Sequence, residues 1–329
     1  MSDRWSEERA WEWYNRHRWL VGCNFTPSTA INQLEMWQAE TFDPVTIERE
    51  LGWAGGLGFN TVRVYLHDIV WSLDPVGFVD RIDRFLEMAS VVGIKPIFVL
   101  FDDCWNTDFQ AGRQPEPRPG VHNSGWVQSP GMRMVLDKST WGPLEEYVKD
   151  VLGSFGDDNR VLMWDLYNEP GNGGLGTKSM VLLREVFRWA RAAGPTQPIS
   201  VGVWFDNDEL NGFQLSKSDV VTFHNYHDSG NLEAQIGALR SHGRPMICTE
   251  YMARTRGSLF ETCLPVFKRE KVGCINWGLV DGKTQTKYPW GSEEGSPEPE
   301  PWFHEILHRD GTPYKQDEVD LIRRLTSSD

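Results

Sequence analysis

Two runs of the chain end an apolar, strand-like stretch on a glutamate. The first is Trp164–Pro170, which contains Glu169, and the second is Cys248–Tyr251, which contains Glu250. The two glutamates lie 81 positions apart, about the length of three βα units. A parallel barrel brings the carboxyl ends of all its strands to one face, so two strand-end carboxylates can converge there. Two converging carboxylates are what the cleavage of a glycosidic bond requires.

The neighbours of the two glutamates suggest different roles. A retaining glycosidase needs one carboxylic acid to protonate the leaving oxygen and a second carboxylate, roughly 5 Å away, to attack the anomeric carbon. Glu169 suits the acid, because Asn168 before it can hold a substrate hydroxyl and Pro170 ends the strand. Glu250 suits the nucleophile. We expect a negative Glu250 to raise the pKa of Glu169 and to keep it protonated near neutral pH.

Short β-rich runs alternate with amphipathic stretches along the chain, which indicates parallel βαβ units. The pattern predicts eight strands, at Trp19–Asn24, Asn60–Tyr65, Lys95–Phe101, Val161–Asn168, Ile199–Trp204, Val220–Asn225, Pro245–Glu250 and Gly273–Leu279. It predicts helices near 45–57, 78–92, 142–154, 178–193, 232–242 and 258–270, and only a poorly formed helix between strands five and six. We therefore expect a single α/β domain over residues 1–329, a (β/α)8 barrel with long loops after strands 1, 3 and 8. Residues 1–18 are expected to form a helical lead-in to the barrel floor.

Composition excludes several classes of partner. The formal net charge of −14 argues against nucleic acid and membrane surfaces, which require clustered Lys and Arg. The charged start of the chain has no signal-peptide core, and no run approaches the roughly 18 apolar residues of a membrane span. Five cysteines without metal-like spacing fit a reduced protein, so we expect a cytoplasmic location. The 16 Trp offer flat faces for sugar rings, although a large barrel buries many aromatics.

Other chemistries lack their motifs. The chain has no phosphate loop, Gly-x-Ser-x-Gly elbow or Cys-x-x-Cys. His224 and His227 would point to opposite faces of a strand, which disfavours joint metal ligation. We expect neither a metal nor a cofactor.

The motifs resemble those of glycoside hydrolase clan A, and family 5, the cellulase and mannanase family, is the most similar. The resemblance rests on Asn168-Glu169-Pro170 on strand four with Glu250 on strand seven, and it extends from Trp19 to about Gly282. It implies eight strands rather than seven, and the assignment of Glu169 as acid–base and Glu250 as nucleophile.

Four further positions match this family. The resemblance implies that Arg63 on strand two bonds the nucleophile and keeps it ionised. It implies that Tyr226 contacts the nucleophile and that His224 supports the acid or a sugar hydroxyl. Trp277 matches the strand-eight tryptophan that forms the floor beneath the cleaved sugar.

The end of strand three departs from the family pattern, in which a histidine often touches the bound sugar. Here the strand ends on Asp102-Asp103-Cys104. Either Asp102 or Asp103 binds a sugar hydroxyl instead, or both acids only form the turn. His122 in the following loop is a candidate to fold back over the sugar.

The loop after strand one is a second candidate contact region. Glu35 and Trp37 would overhang the site and grip the sugar at the non-reducing end, or they belong to a packed loop with one ion pair. Tryptophans that follow strands three, five and eight are candidate stacking platforms: Trp105, Trp126, Trp204 and Trp290.

These features predict a retaining β-glycosidase that acts on β-linked gluco- or manno-configured oligosaccharides or glycosides by double displacement. Short soluble substrates favour exo action. An endo-β-1,4-glycanase acting on glucan, mannan or xylan is the alternative, and transglycosylation is open. A catalytically inactive carbohydrate-binding barrel is a remote alternative. Nothing in the sequence decides the oligomeric state.

Overall fold

The computed structural model describes residues 4–327 of the chain. Residues 1–3, where the expected lead-in begins, and residues 328–329 lie outside this range. The eight strands are β1 (Val21–Asn24), β2 (Thr61–Tyr65), β3 (Lys95–Val99), β4 (Met163–Asp165), β5 (Ile199–Ser200), β6 (Val221–His224), β7 (Met246–Tyr251) and β8 (Gly273–Asn276). Each falls within or at the border of a predicted strand.

The strands form one parallel sheet in the order β5-β4-β3-β2-β1-β8-β7-β6. Between β5 and β6 a single parallel bridge joins Val203 to Phe223, so the sheet forms a nearly closed barrel. The predicted (β/α)8 architecture is therefore confirmed. The strands are shorter than predicted, and β5 has only two residues.

Helices lie between the strands and outside the sheet. They are α1 (Glu7–Asn15), α2 (Gln33–Trp37), α3 (Pro44–Gly56), α4 (Asp68–Leu73), α5 (Pro75–Val91), α6 (Met132–Leu136), α7 (Gly142–Phe155), α8 (Ser179–Ala193), α9 (Asp208–Lys217), α10 (Ser229–Leu239), α11 (Phe260–Glu270) and α12 (Gln316–Thr326). Sequence-local signals fix several ends. For example, the Asp43 side chain accepts a hydrogen bond from the Thr46 amide at the start of α3, where Pro44 occupies the first turn.

The prediction of a poorly formed helix between strands five and six was wrong. That link contains α9, whose ten residues begin after Asn207, and the Asn207 side chain accepts a hydrogen bond from the Leu210 amide. Leu210 and Gln214 are buried, and the Gln214 amide donates to the Gly202 carbonyl oxygen at 2.6 Å. A cap and two inward residues hold this helix, although its apolar periodicity is weak.

The barrel is closed at its amino-terminal end by α1. Trp5, Ala10 and Tyr14 pack on residues from several strands, including Ile97 and Ile275, in a separate apolar cluster. The opposite end is therefore the one left open for a site. No helix among residues 4–327 combines the length and the apolar character needed to cross a bilayer.

Candidate active site

The carboxylates of Glu169 and Glu250 meet at the carboxyl end of the barrel. One oxygen of each, together with a ring nitrogen of His224, all lie within 4.8 Å of one another. Glu169 follows β4, Glu250 is on β7 and His224 ends β6, so three separate strands position the group. A separation near 5 Å is the spacing of direct attack on the sugar, without room for an intervening water.

Three donors hydrogen-bond to the carboxylate oxygens of Glu250. Its Oε1 accepts hydrogen bonds from Arg63 Nη1 at 2.8 Å and from the Tyr65 hydroxyl at 3.0 Å. Its Oε2 accepts from the Tyr226 hydroxyl at 2.8 Å. Burial raises the pKa of Tyr226 well above its usual value, and Glu250 raises it further, so this hydroxyl stays protonated and donates.

Arg63 is completely buried and connects four strands. Besides Glu250, its guanidinium contacts Asp165 (Nε to Oδ2, 3.0 Å), Asn24 (Nη1 to Oδ1, 2.9 Å) and Asn168 (Nη2 to Oδ1, 2.7 Å). Burial lowers the pKa of this arginine, but its neighbours Tyr65, Asp165 and Glu250 outweigh burial and hold the pKa above the usual value. Arg63 therefore keeps a permanent positive charge beside Glu250.

Glu169 receives hydrogen bonds on both of its oxygens. His224 Nδ1 donates to Oε1 at 2.8 Å, Asn172 Nδ2 donates to Oε2 at 2.7 Å, and the Cys104 thiol donates to Oε2 at 3.3 Å. Burial raises the pKa of Glu169, but these donors, with His224 foremost, outweigh it, and the pKa lies below the usual glutamate range. This is the opposite of the direction expected from Glu250 alone, because the hydrogen bonds to Glu169 favour its ionised form.

A cleft of about 980 Å³ opens above the two carboxylates. Five tryptophans line it: Trp105, Trp126, Trp204, Trp277 and Trp290. Trp277 lies edge-on to Tyr65 and Trp126, with ring centroids 5.9 Å apart in both pairs. Trp105 and Trp290 remain 43% and 39% exposed, so flat apolar faces are available to a ligand at the rim.

The model of the cellulase family, glycosyl hydrolase family 5, matches residues 55–283 of this chain. The chain belongs to glycoside hydrolase family 5. It is accordingly a retaining glycoside hydrolase. A search of curated proteins found no match.

Solved structures agree on the fold of this family 5 enzyme. The GH5_18 protein of Streptomyces cattleya, in complex with Manβ1-4GlcNAc, has a TM-score of 0.66 at 13% identity, covering 95% of this chain and 82% of that one. The exo-β-1,4-mannosidase of Opitutaceae bacterium strain TAV5 has a TM-score of 0.64 at 17% identity, covering 94% and 60%. The endo-1,4-β-D-mannanase of Thermotoga petrophila RKU-1 has a TM-score of 0.58 at 14% identity, covering 94% and 99%.

Seven of the predicted substrate-binding residues line the cleft of the family 5 enzyme: Trp105, His122, Asn168, Trp204, His224, Tyr226 and Trp277. The His122 ring lies 5.4 Å from that of Trp105, with Nδ1 2.7 Å from the Tyr288 carbonyl oxygen. Burial lowers the pKa of His122 to about 4, so this ring is neutral at physiological pH.

The expectation that Asp102 or Asp103 binds a sugar hydroxyl is corrected by their placement. Both side chains are buried beneath the cleft and do not line it. Asp102 accepts hydrogen bonds from Asn168 Nδ2 and from the Trp126 indole, at 2.9 and 2.8 Å. Burial raises the pKa of Asp102 to about 6 and that of Asp103 to about 7. They support the residues that form the site.

Glu35 and Trp37 also do not reach the cleft. Trp37 is fully buried, and its indole donates to the Tyr65 carbonyl oxygen at 2.7 Å. Glu35 pairs with Lys283 at 2.7 Å and accepts from the Ile31 amide. The segment is therefore a packed loop with one ion pair, the second alternative given above, because α2 directs both side chains away from the cleft.

Four residues of the site were missing from the sequence prediction: Asp165, Tyr65, Cys104 and Asn172. Tyr65 had a usable signal, because it lies two residues after Arg63 on β2 and so faces the same side of the sheet. Asp165 lies on β4 within the run that was recognised, but nothing in the sequence pairs it with Arg63. Cys104 and Asn172 lie on loops, whose side-chain directions depend on tertiary contacts.

Glu169, His224 and Glu250 are also the residues of the described chain that could together hold a metal ion. Carboxylate oxygens and an imidazole nitrogen are zinc ligands. In the structure, however, each of these groups is satisfied by the hydrogen bonds described above, and Arg63 supplies a positive charge next to Glu250. The donor set thus suits a proton-transfer site without an added cation.

Proposed function

We propose that this family 5 enzyme is an exo-acting retaining β-glycosidase for gluco- or manno-configured glycosides. The observation that carries the proposal is a cleft with the carboxylate spacing of direct displacement. One end of that cleft is closed by three interlocked loops.

In the first step, we propose, Glu250 attacks the anomeric carbon of the bound sugar. A bond forms between its carboxylate oxygen and that carbon while the glycosidic carbon–oxygen bond breaks. The electron pair leaves with the departing oxygen, which takes a proton from the carboxyl of Glu169. The hydrogen bonds from Arg63, Tyr65 and Tyr226 support this role, because they orient an ionised Glu250 before attack.

In the second step, Glu169 acts as the base. It takes a proton from a water, the water oxygen attacks the anomeric carbon, and the bond to Glu250 breaks. The carboxylate of Glu250 is regenerated and the sugar leaves with its anomeric configuration kept. A Glu169 that is ionised in the empty site is in the state that this step requires.

Exo action is supported by the wall at the Trp277 side of the cleft. The loop after β3 is hydrogen-bonded to the loop after β8, through the Asn123 amide to the Thr284 carbonyl at 2.9 Å and the His122 amide to Ser292 Oγ at 3.1 Å. The loop after β1 joins them, since Gln33 Nε2 donates to the Val127 carbonyl at 2.9 Å. Long loops on the same face therefore form one connected barrier.

The space behind this barrier is too small for another sugar ring. Asn123, Trp126 and Trp277 line both the cleft and a second cavity of about 20 Å³ behind it. Such a volume accommodates a single water. A substrate would therefore place one sugar against this wall and extend in the other direction, along Trp204 and Asp206.

Similar folds occur in proteins of matching substrate class. The names of the similar structures include an exo-β-1,4-mannosidase and a protein solved with Manβ1-4GlcNAc, and also an endo-mannanase. The three hydrogen-bonded loops favour exo action for this chain. The assay described next distinguishes a gluco-configured from a manno-configured sugar, which differ at the 2-position.

The test is hydrolysis of 4-nitrophenyl β-glucoside and β-mannoside beside soluble glucan, mannan and xylan, with products separated by size. We expect single sugars from one aryl glycoside, and shortening of oligosaccharides by one unit at a time. Oligomers released from the interior of a polymer would contradict exo action. Glu250→Gln should abolish turnover without loss of folding, and an unchanged rate would refute the assignment of the nucleophile.

A further inference from the structure

The carboxylate of Glu169 is fixed from two sides by unlike groups. On the Oε1 side lies His224, whose Nδ1 is 2.8 Å away. On the Oε2 side lie Asn172 Nδ2 at 2.7 Å and the Cys104 thiol at 3.3 Å, and Asn172 Nδ2 also lies 3.3 Å from Cys104 Sγ. Glu169, Asn172 and Cys104 thus form a closed triangle of contacts.

The loop that carries Asn172 is built to hold it in place. The Asn172 amide donates back to the Glu169 carbonyl at 3.0 Å, and the Gly176 amide donates to the Gly171 carbonyl at 2.8 Å. Gly171 has φ of 93° and lies so close to Gly176 that a Cβ would be 2.6 Å from its carbonyl oxygen. Only glycine is accommodated there, so the turn is defined by the sequence.

Asp103 anchors this turn from below. Its Oδ2 accepts a hydrogen bond from the Gly171 amide at 2.8 Å and another from the Ser179 hydroxyl, and its Oδ1 accepts from the Tyr167 hydroxyl at 2.6 Å. Asp103 is adjacent in sequence to Cys104, so one short segment after β3 holds the turn and also supplies the thiol. Asn172 is therefore presented to Glu169 by a supported loop.

Cys104 is suited to donate a hydrogen bond rather than to carry a charge. Its side chain is 7% exposed, and burial, together with nearby carboxylates, raises the pKa of the thiol well above its usual value. A protonated thiol beside Glu169 Oε2 stabilises the ionised carboxylate, as does the amide of Asn172. Both residues contact Glu169, and we assign them as positioning residues.

We propose that Asn172 and Cys104 act as a clamp on Oε2 of Glu169, which holds the acid–base carboxylate in place and favours its ionised form. This inference rests on the proposed role of Glu169. In the clamp, the neutral donors set how readily Glu169 gives up its proton to the leaving oxygen. The same two donors favour the ionised form of Glu169, which takes a proton from water in the second step.

The test compares Asn172→Ala, Cys104→Ala and the double variant with wild type. The rate constant kcat/KM is measured from pH 4 to 10 on a phenyl glycoside and on a 2,4-dinitrophenyl glycoside of the preferred sugar. Loss of donors raises the proton affinity of Glu169, so the alkaline limb of the profile should move upward by roughly one pH unit in the double variant. The phenyl substrate, which needs the acid, should lose about tenfold in rate, whereas the dinitrophenyl substrate should change little.

Two controls separate positioning from general damage. Cys104→Ser keeps a donor and should restore most of the wild-type profile. Cys263→Ala removes a buried thiol in α11, away from the cleft, and should leave the profile unchanged.

An unmoved alkaline limb in an active double variant, or equal losses on both substrates, would overturn the clamp while leaving the proposed function intact. If instead Glu169→Gln shows no greater loss on the phenyl than on the dinitrophenyl substrate, the role of Glu169 fails and the clamp fails with it.

Discussion

Asp165 should be one of the most costly residues to remove, although it does not line the cleft. Its carboxylate contacts Arg63 Nε at 3.0 Å and Nη2 at 2.8 Å, and both side chains are essentially inaccessible to solvent. Removing one partner of a buried ion pair costs about 3–5 kcal/mol, because the other charge stays buried. Asn24, Asn168 and Glu250 still bind Arg63, so we expect Asp165→Ala to lie at the low end, at about 3 kcal/mol.

For a chain of 329 residues, a loss of about 3 kcal/mol lowers the Tm by about 4 °C. The measurement is urea unfolding and a thermal scan of the purified variant. The control is Lys149→Ala, which breaks a half-exposed pair with Glu145 on α7 and should cost only about 0.3–0.5 kcal/mol. Activity of Asp165→Ala should also fall, because Arg63 loses the contact that orients it toward Glu250. If the two variants unfold at the same urea concentration, the reasoning about Arg63 is refuted.

Two further predictions concern pH and metals. Burial raises the pKa of Glu305 to about 8 from a usual 4.5, so the folded protein keeps a proton that the unfolded chain releases, and stability falls as pH rises through this window. Glu305→Gln should therefore lose less stability between pH 5 and 9, by about 4 kcal/mol, and parallel curves of unfolding free energy against pH would contradict this. Dialysis against EDTA should leave hydrolysis unchanged, whereas added Zn²⁺ should inhibit by binding Glu169, His224 and Glu250. Activity lost to EDTA and restored by a metal would contradict the metal-free mechanism.

The parts of the fold that local patterns determine were predictable. Apolar runs bounded by helical stretches located the strands and six of the helices, and the count of eight strands rested partly on the family resemblance. The errors arise where tertiary contacts decide. After Ser200 the chain keeps only the bridge from Val203 to β6, so the predicted fifth strand is shortened. Helix α9 depends on a cap and two buried side chains rather than on periodicity.

The same division applies to the site. Glu169 and Glu250 were predictable because each ends a strand-like run, and Arg63 and His224 because they match positions of the family resemblance. The positions of Asp102 and Asp103 were not predictable. Loops far away in sequence decide whether a polar residue after a strand faces the ligand or the core. Asp102 turns down because Trp126, 24 residues later, presents its indole N–H to it.

The donors around the two carboxylates differ in kind, and this difference supports their proposed roles. Glu250 is held by Arg63, a permanent cation, and by two phenolic hydroxyls, which suits its proposed role as the nucleophile. Within residues 4–327, Glu169 contacts no arginine; its donors are an amide, a thiol and an imidazole. A permanent cation on Glu169 would lock it in one protonation state, whereas an acid–base group must change state twice in each turnover. The neutral donors hold Glu169 in position and still allow it to gain and lose a proton. The loop residues Cys104 and Asn172 therefore matter to the reaction as well as to the fold.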